Sequence, residues 1–184
     1  MPLKPPPLIE SPRSLIRIIQ EADIPGLLPI NGDEHVTRWL PYAAWQSLAD
    51  GHAWFERMRA LASTGAALQF VIVERASGGI IGTCLLFRHE EASARAELGY
   101  VLGRVHWHQG FMQEALAALI ACAFNEYALR RLEAEVDPDN VASNRLLRGL
   151  GFVHEGLLRK RWVTKGMACD ANIYGLLRDE WSAA

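Results

Sequence analysis

The apolar pattern predicts an α/β (α+β) fold, one sheet with helices packed on it, built around a central strand–helix–strand unit. Three observations carry this. "ARAELGYVLG" alternates strictly, with Ala96, Leu98, Tyr100 and Leu102 on one face and Arg95, Glu97, Gly99 and Val101 on the other. From Phe111 to Leu129 the period changes: Leu116, Leu119, Ile120, Ala123, Phe124 and Tyr127 form one apolar helical stripe. "RLEAEV", Arg131 to Val136, returns to period two.

The other elements fall around this centre in chain order. "SLIRIIQ", Ser14 to Gln20, has strand composition, and "EADIPGLLPI" suggests a short helix interrupted by Pro25 and Pro29. Ser47 to Leu61 reads as a helix capped by Ser47, with Leu48, Phe55, Met58 and Leu61 near helical spacing. "LQFVIVERASGGIIGTCLLF" holds two β-branched runs around Ser77-Gly78-Gly79, a hairpin signal. "DPDNVASNRLLRGLG" is a helix with Asn140 as N-cap and Gly151 as its stop. "FVHEGLL" and "ANIYGLL" are two closing strands.

Half of the 184 residues are apolar, enough for one domain with a sizeable core. A net charge of −2 gives no global basic field for nucleic acid or an anionic membrane. Cys84, Cys122 and Cys169 are widely spaced and odd in number, which fits reduced thiols in a cytoplasmic protein. No apolar run approaches the roughly 20 residues of a membrane span. "MPLKPPPLIESP" lacks the apolar stretch of a signal peptide. Residues 1–12 therefore read as an extended proline-rich arm, a loose leader or an SH3-type ligand, ahead of a single domain over 13–184.

The chemistry centres on "VHWHQGFMQEAL", a glycine turn opening directly into the long helix. The first N–H groups of a helix have no partner within it, and its dipole adds positive potential. Gln109, Gly110, Phe111, Met112 and Gln113 would present such donors to a phosphate or pyrophosphate. His106 and His108 lack a third ligand at metal spacing and read as rim histidines beside a cofactor mouth.

"ELGYVLGRVHWHQGFMQEAL", "EVDPDNVASNRLLRGLGF" and "HEGLLRKRWVTKG" resemble, in order and spacing, the GNAT-type N-acetyltransferases. The likeness is greatest to the RimJ/RimL class of ribosomal-protein alanine N-acetyltransferases, covers Arg13 to Trp181 and is densest from Glu97 to Gly156. It implies a mixed, mostly antiparallel sheet of about seven strands, splayed at the fourth and fifth and flanked by helices on both faces. It implies acetyl-CoA as co-substrate, with no metal. The family's turn pattern, Gln/Arg-x-x-Gly-x-Gly/Ala, falls on Trp107 to Met112. Gly110 is kept; Trp107, His108 and Met112 depart from it. Because backbone amides hold the pyrophosphate, those side chains are secondary, and histidine tolerates the positive φ that position 108 would need.

The resemblance further implies that pantetheine lies along Tyr100, Val101 and Leu102, with an N–H near Val101 polarising the thioester carbonyl. Gly99 would leave room there, or mark a bulge or close packing. Glu97, on the same face, is the first candidate for general base, direct or through a water; the alternative is a carboxylate paired with Arg95 or another cation. The class has a second carboxylate where this sequence has Trp162, and Glu155 reads as a strand-stabilising residue. The family's usual acid, a tyrosine, is replaced by Leu147. Ser143 matches the serine of the RimL-like class, which would protonate the departing sulfur or else satisfy first-turn N–H groups. Asn140 would cap its helix and reach the pantetheine amides.

Trp39, Tyr42 and Trp45 would line an acceptor groove, or pack as core or rim. The resemblance implies direct acetyl transfer in a ternary complex to a protein N-terminal α-amine, such as that of a ribosomal protein, by a monomer or homodimer. The alternatives are a small-molecule amine acetyltransferase, for a polyamine, amino acid or drug, and a catalytically silent CoA-binding module.

Overall fold

The computed structural model describes residues 3–4, 6 and 8–181. Expectations for positions 1, 2, 5, 7 and 182–184, at the ends of the arm and of the domain, lie outside the described residues. The strands are β1 (Ile9–Glu10), β2 (Ser14–Ile18), β3 (Leu68–Glu74), β4 (Ile80–Glu90), β5 (Arg95–Leu102), β6 (Arg131–Val136), β7 (Val153–Thr164) and β8 (Met167–Leu177). The helices are α1 (Ile24–Asn31), α2 (Glu34–Thr37), α3 (Leu48–Ser63), α4 (Phe111–Asn125) and α5 (Val141–Gly149). The strands form one sheet in the order β1-β2-β3-β4-β5-β6-β8-β7.

Apolar cores cover both faces. On one, Leu116, Leu119, Ile120 and Phe124 of α4 pack on Phe70, Leu86, Leu98 and Leu132. On the other, Ile24, Leu27, Trp45 and Trp54 pack on Val71. The run from Leu68 to Ile72 is buried throughout because β3 is covered on both sides.

The β5–β6 pair is parallel, while the other paired neighbours are antiparallel. It holds only where Arg95, Ala96 and Glu97 lie opposite Arg131, Leu132 and Glu133. Beyond that point β5 stays with β4 as far as Leu102 opposite Gly82, and β6 stays with β8 as far as Val136 opposite Asn172. The two central strands therefore diverge into a V whose inner backbone edges lack each other.

Five expectations change. The arm contributes β1, with Ile9 opposite Ile16, and Leu3 and Ile9 are buried in the core; the leader is not loose there, and the strands number eight. Proline does not interrupt α1: Pro25 falls in the first turn, whose N–H is free in any case, and Pro29 forfeits one bond inside a helix anchored by Ile24, Leu27 and Ile30. The core face of α3 carries Gly51 and Trp54, whereas Leu48 and Leu61 are exposed. Helix α4 ends at Asn125, and the chain turns through Ala128 at φ 50° to bury Leu129. The closing strands are longer than their apolar runs, because the far part of the β7–β8 hairpin stands out from the sheet with little burial on either face. An unburied stretch has no reason to alternate, so the pattern cannot reveal it.

Candidate active site

A cleft of about 770 Å³ opens where β5 and β6 part. Tyr100, Val101 and Leu102 form one wall and Ala134, Glu135 and Val136 the other. His108 and Gly110 to Gln113 close one end, Asn140 and Ser143 sit at the start of α5, and Val36, Trp39 and Leu40 roof it. The expected site residues thus share one cavity, with two exceptions. Gln109 is not among the lining residues, and its side chain turns back to donate to the Val105 carbonyl at 2.8 Å. Glu97 also lies outside the lining.

The turn is sharply bent. His108 has φ 59° and Gly110 φ 84°, closely spaced departures that bend the chain straight into α4. Gly110 is the residue before the first helical turn, so the N–H groups of Phe111, Met112 and Gln113 have no helical acceptor behind them. Three groups in one curve with a helix dipole behind them suit an anion. Trp107 acts elsewhere, since its indole N–H donates to the Leu102 carbonyl at 2.8 Å and fastens the end of β5. His106 packs edge-on against Phe111, and no metal-holding group of three His, Cys, Asp or Glu occurs among the described residues.

Along β5, alternate residues turn their peptide groups away from β4, and beyond Glu97 no β6 residue is there to take them. An extended amide-bearing ligand fits that edge. A Cβ on Gly99 would lie 2.4 Å from Leu85 Cδ2, so this cleft-lining glycine also answers close packing against β4.

The hydroxyls of Tyr100 and Ser143 share a hydrogen bond, with the tyrosine on β5 and the serine on α5. Asn140 caps α5 by accepting from the Ser143 N–H at 3.2 Å, which leaves the serine hydroxyl free of that duty. Burial pushes the Tyr100 phenol up to about 12, so it remains a proton donor throughout the neutral range. Sequence reasoning placed Tyr100 only on the pantetheine strand; the pairing links residues 43 apart and leaves no local signature.

The polar base of the V holds an interlocked set of charges. Glu97 accepts from Arg88 Nη1 at 2.7 Å, and its cation partner is Arg88, not Arg95. Arg95 pairs instead with Glu90 and Glu133. Burial raises the Glu97 carboxyl above the ordinary range, with Arg88 partly opposing. A raised folded value means that Glu97 favours folding below its unfolded pKa, near 4.3, and loses that contribution as pH climbs through the folded value. Glu97→Gln should therefore gain stability relative to the parent as pH rises above about 4.3, read as a narrowing or reversed difference in unfolding midpoint.

Glu135 is the carboxylate that sequence reasoning missed. It lines the cleft, lies 3.5 Å from the same Arg88 Nη1, pairs with Arg161 at 3.2 Å and accepts from the Trp162 indole at 2.5 Å. The ring of Trp162 packs against Arg88 and Arg161, with their guanidinium carbons 4.9 and 5.0 Å from its centroid. The missed signal was the alternation of "RLEAEV", which puts Glu133 and Glu135 on the face shared with Glu97 once β5 and β6 are paired. Glu155 takes Arg131 in a two-pronged ion pair, the strand-stabilising role expected of it.

Of the three candidate acceptor aromatics, Trp39 alone lines the cleft. Tyr42 bonds to Asn31 and packs on the second core, and Trp45 is buried within that core against Trp54. Both follow the packing alternative. Above them, Lys165 at the tip of the β7–β8 hairpin donates to the carbonyls of Thr37 and Arg38, pinning the hairpin to the cleft's roof.

The profile of the acetyltransferase (GNAT) domain matches residues 13–153. The N-acetyltransferase p20 of Bacillus licheniformis, itself uncharacterized, is 34% identical over 164 residues, 89% of this chain and 91% of that one. A ribosomal-protein-serine acetyltransferase of Escherichia coli is 33% identical over 100 residues, 54% of this chain and 56% of its own. The structure of Mycobacterium smegmatis RimJ in complex with CoA-disulfide superposes with a TM-score of 0.88 at 24% identity, covering 97% of this chain and 91% of that one. A splayed sheet, a glycine turn at the mouth of its cleft and a profile match over most of the chain agree, and the chain belongs to the GNAT family as an N-acetyltransferase.

Proposed function

We propose that this enzyme moves the acetyl group of acetyl-CoA to a protein N-terminal α-amine by direct transfer in a ternary complex. The observation that carries the acceptor choice is the charge state of the cleft base. The three carboxylates there are already engaged by arginine, Glu97 by Arg88, Glu133 by Arg95 and Arg131, and Glu135 by Arg161 and Arg88. A polyamine needs free anionic partners for its second and third charges, and this base offers it carboxylates already paired with guanidinium groups instead. A single α-amine needs less. With an unperturbed pKa near 8, about a tenth of it is neutral at pH 7, against less than a thousandth for lysine near 10.4. The E. coli relative, whose name states a ribosomal-protein acceptor, supports the same reading.

In this reading the turn at His108–Gln113 binds the diphosphate through its backbone N–H groups, and pantetheine completes the free edge of Tyr100–Leu102. The amide near Val101 polarises the thioester carbonyl. Glu97 takes the amine proton through a water, since it stands behind the cleft wall, and Glu135 faces the amine. Ser143, backed by the Tyr100 hydroxyl, donates to the departing sulfur, and Asn140 holds the first turn of α5 in place. The setting would be cytoplasmic.

A thiol-release assay with acetyl-CoA tests the acceptor, using a panel of peptides with free N-termini beside spermidine and free amino acids. Turnover of peptides and not of their N-terminally blocked forms is expected; a preference for spermidine would overturn the choice. Ser143→Ala should lower kcat roughly tenfold and leave KM for acetyl-CoA unchanged. The loss stays modest because a thiol of pKa near 8.5 departs largely unaided. Tyr100→Phe should lower kcat by less.

A further inference from the structure

We infer that Arg13 positions the diphosphate of acetyl-CoA from outside the cleft, acting through the Gln109–Gly110 peptide and through Glu114. The inference rests on the proposed place of the diphosphate at the turn and adds a residue that no motif in the sequence singles out.

Arg13 precedes β2 and reaches across to the start of α4. Its Nη2 donates to the Gln109 carbonyl at 2.6 Å and to Glu114 Oε1 at 2.6 Å, while Nε donates to the same carboxylate at 2.9 Å. Its guanidinium also covers the ring of Phe111, 4.2 Å from the centroid. One cation thus holds the turn's backbone, the first-turn acid and the aromatic that lines the cleft.

Two consequences follow from elementary geometry and charge. In a trans peptide the C=O and N–H point in opposite directions. Drawing the Gln109 carbonyl onto Arg13 therefore aims the Gly110 N–H away from Arg13, and Gly110 lines the cleft whereas Arg13 stands behind it. At φ 84° Gly110 is free enough to let that peptide rotate, so something has to fix it. The second consequence concerns Glu114. A carboxylate in the first turn suits the helix dipole but repels an anion bound at the same end. The paired, fork-like bond from Arg13 neutralises it where a phosphate must approach.

The test compares CoA with pantetheine, which keeps the amides and the thiol and lacks the diphosphate, by titration against the parent, Arg13→Gln, Arg13→Lys and the double variant Arg13→Gln/Glu114→Gln. The parent is expected to bind CoA far more tightly than pantetheine. Arg13→Gln should weaken CoA roughly ten- to a hundredfold, the range for bonds to charged groups, and leave pantetheine unchanged. Removing Glu114 as well should restore part of the loss, that due to repulsion, and not the part due to the released peptide. Arg13→Lys keeps the charge without the fork, so it should fall between, and it serves as the milder variant if the glutamine form folds poorly. If the parent discriminates but Arg13→Gln binds CoA normally, or loses both ligands equally, Arg13 has only a structural role and the inference fails while the diphosphate site stands. If the parent binds CoA no better than pantetheine, the site and the inference fall together.

Discussion

Gly110→Pro should reduce CoA affinity by at least about a hundredfold while the protein stays folded. Two effects combine. The ring removes an N–H from the set that faces the cleft, and it fixes φ near −65° where the chain needs 84°. The turn must then rebuild itself, which also misdirects the N–H groups of Phe111 and Met112. The site is exposed and lies ahead of the first full turn of α4, so the apolar stripe from Leu116 to Phe124 keeps its packing. Gly110→Ala separates the two effects: it keeps the donor, strains the backbone and should cost roughly tenfold. Isothermal titration with CoA, paired with far-ultraviolet dichroism to confirm the fold, gives the answer. Parent-like affinity in the proline variant would remove the turn as the anion site.

Glu97→Gln should lower kcat/KM on the order of a hundredfold at pH 7 and only a few-fold at pH 9. The asymmetry follows from the acceptor. At pH 7 most α-amine carries its proton and a base is needed; at pH 9 most is already neutral. In the parent, the acid limb should rise through the elevated Glu97 value, above that of an ordinary glutamate, because burial disfavours its charged form. In the variant that limb disappears and the rate follows the amine alone. Glu135→Gln is the parallel experiment. If it, and not Glu97→Gln, removes the limb, the proton passes directly to the carboxylate in the cleft wall and Glu97 serves to hold Arg88.

The elements that could be read from the sequence were those whose pattern is set by near neighbours along the chain. The faces of β5, the stripe of α4, the Asn140 cap and even the positive φ of His108 follow from neighbours a few residues apart. What escaped notice depends on distant partners or on the absence of burial. Arg13 meets Glu114 across 101 positions, and Tyr100 meets Ser143 across 43. Glu135 becomes visible only when β5 and β6 are aligned, and strand β1 only when β2 offers an edge. The far half of the hairpin has no buried face to impose a pattern.

The gap between the central strands carries a cost outside catalysis. Unpaired peptide groups in the middle of a sheet invite another chain to dock there, much as an outer edge does. A ligand that spans the gap would act as a molecular splint, and occupancy at a hundred times Kd adds about 2.7 kcal/mol to the folded state. Adding CoA should accordingly raise the melting temperature and suppress aggregation on storage.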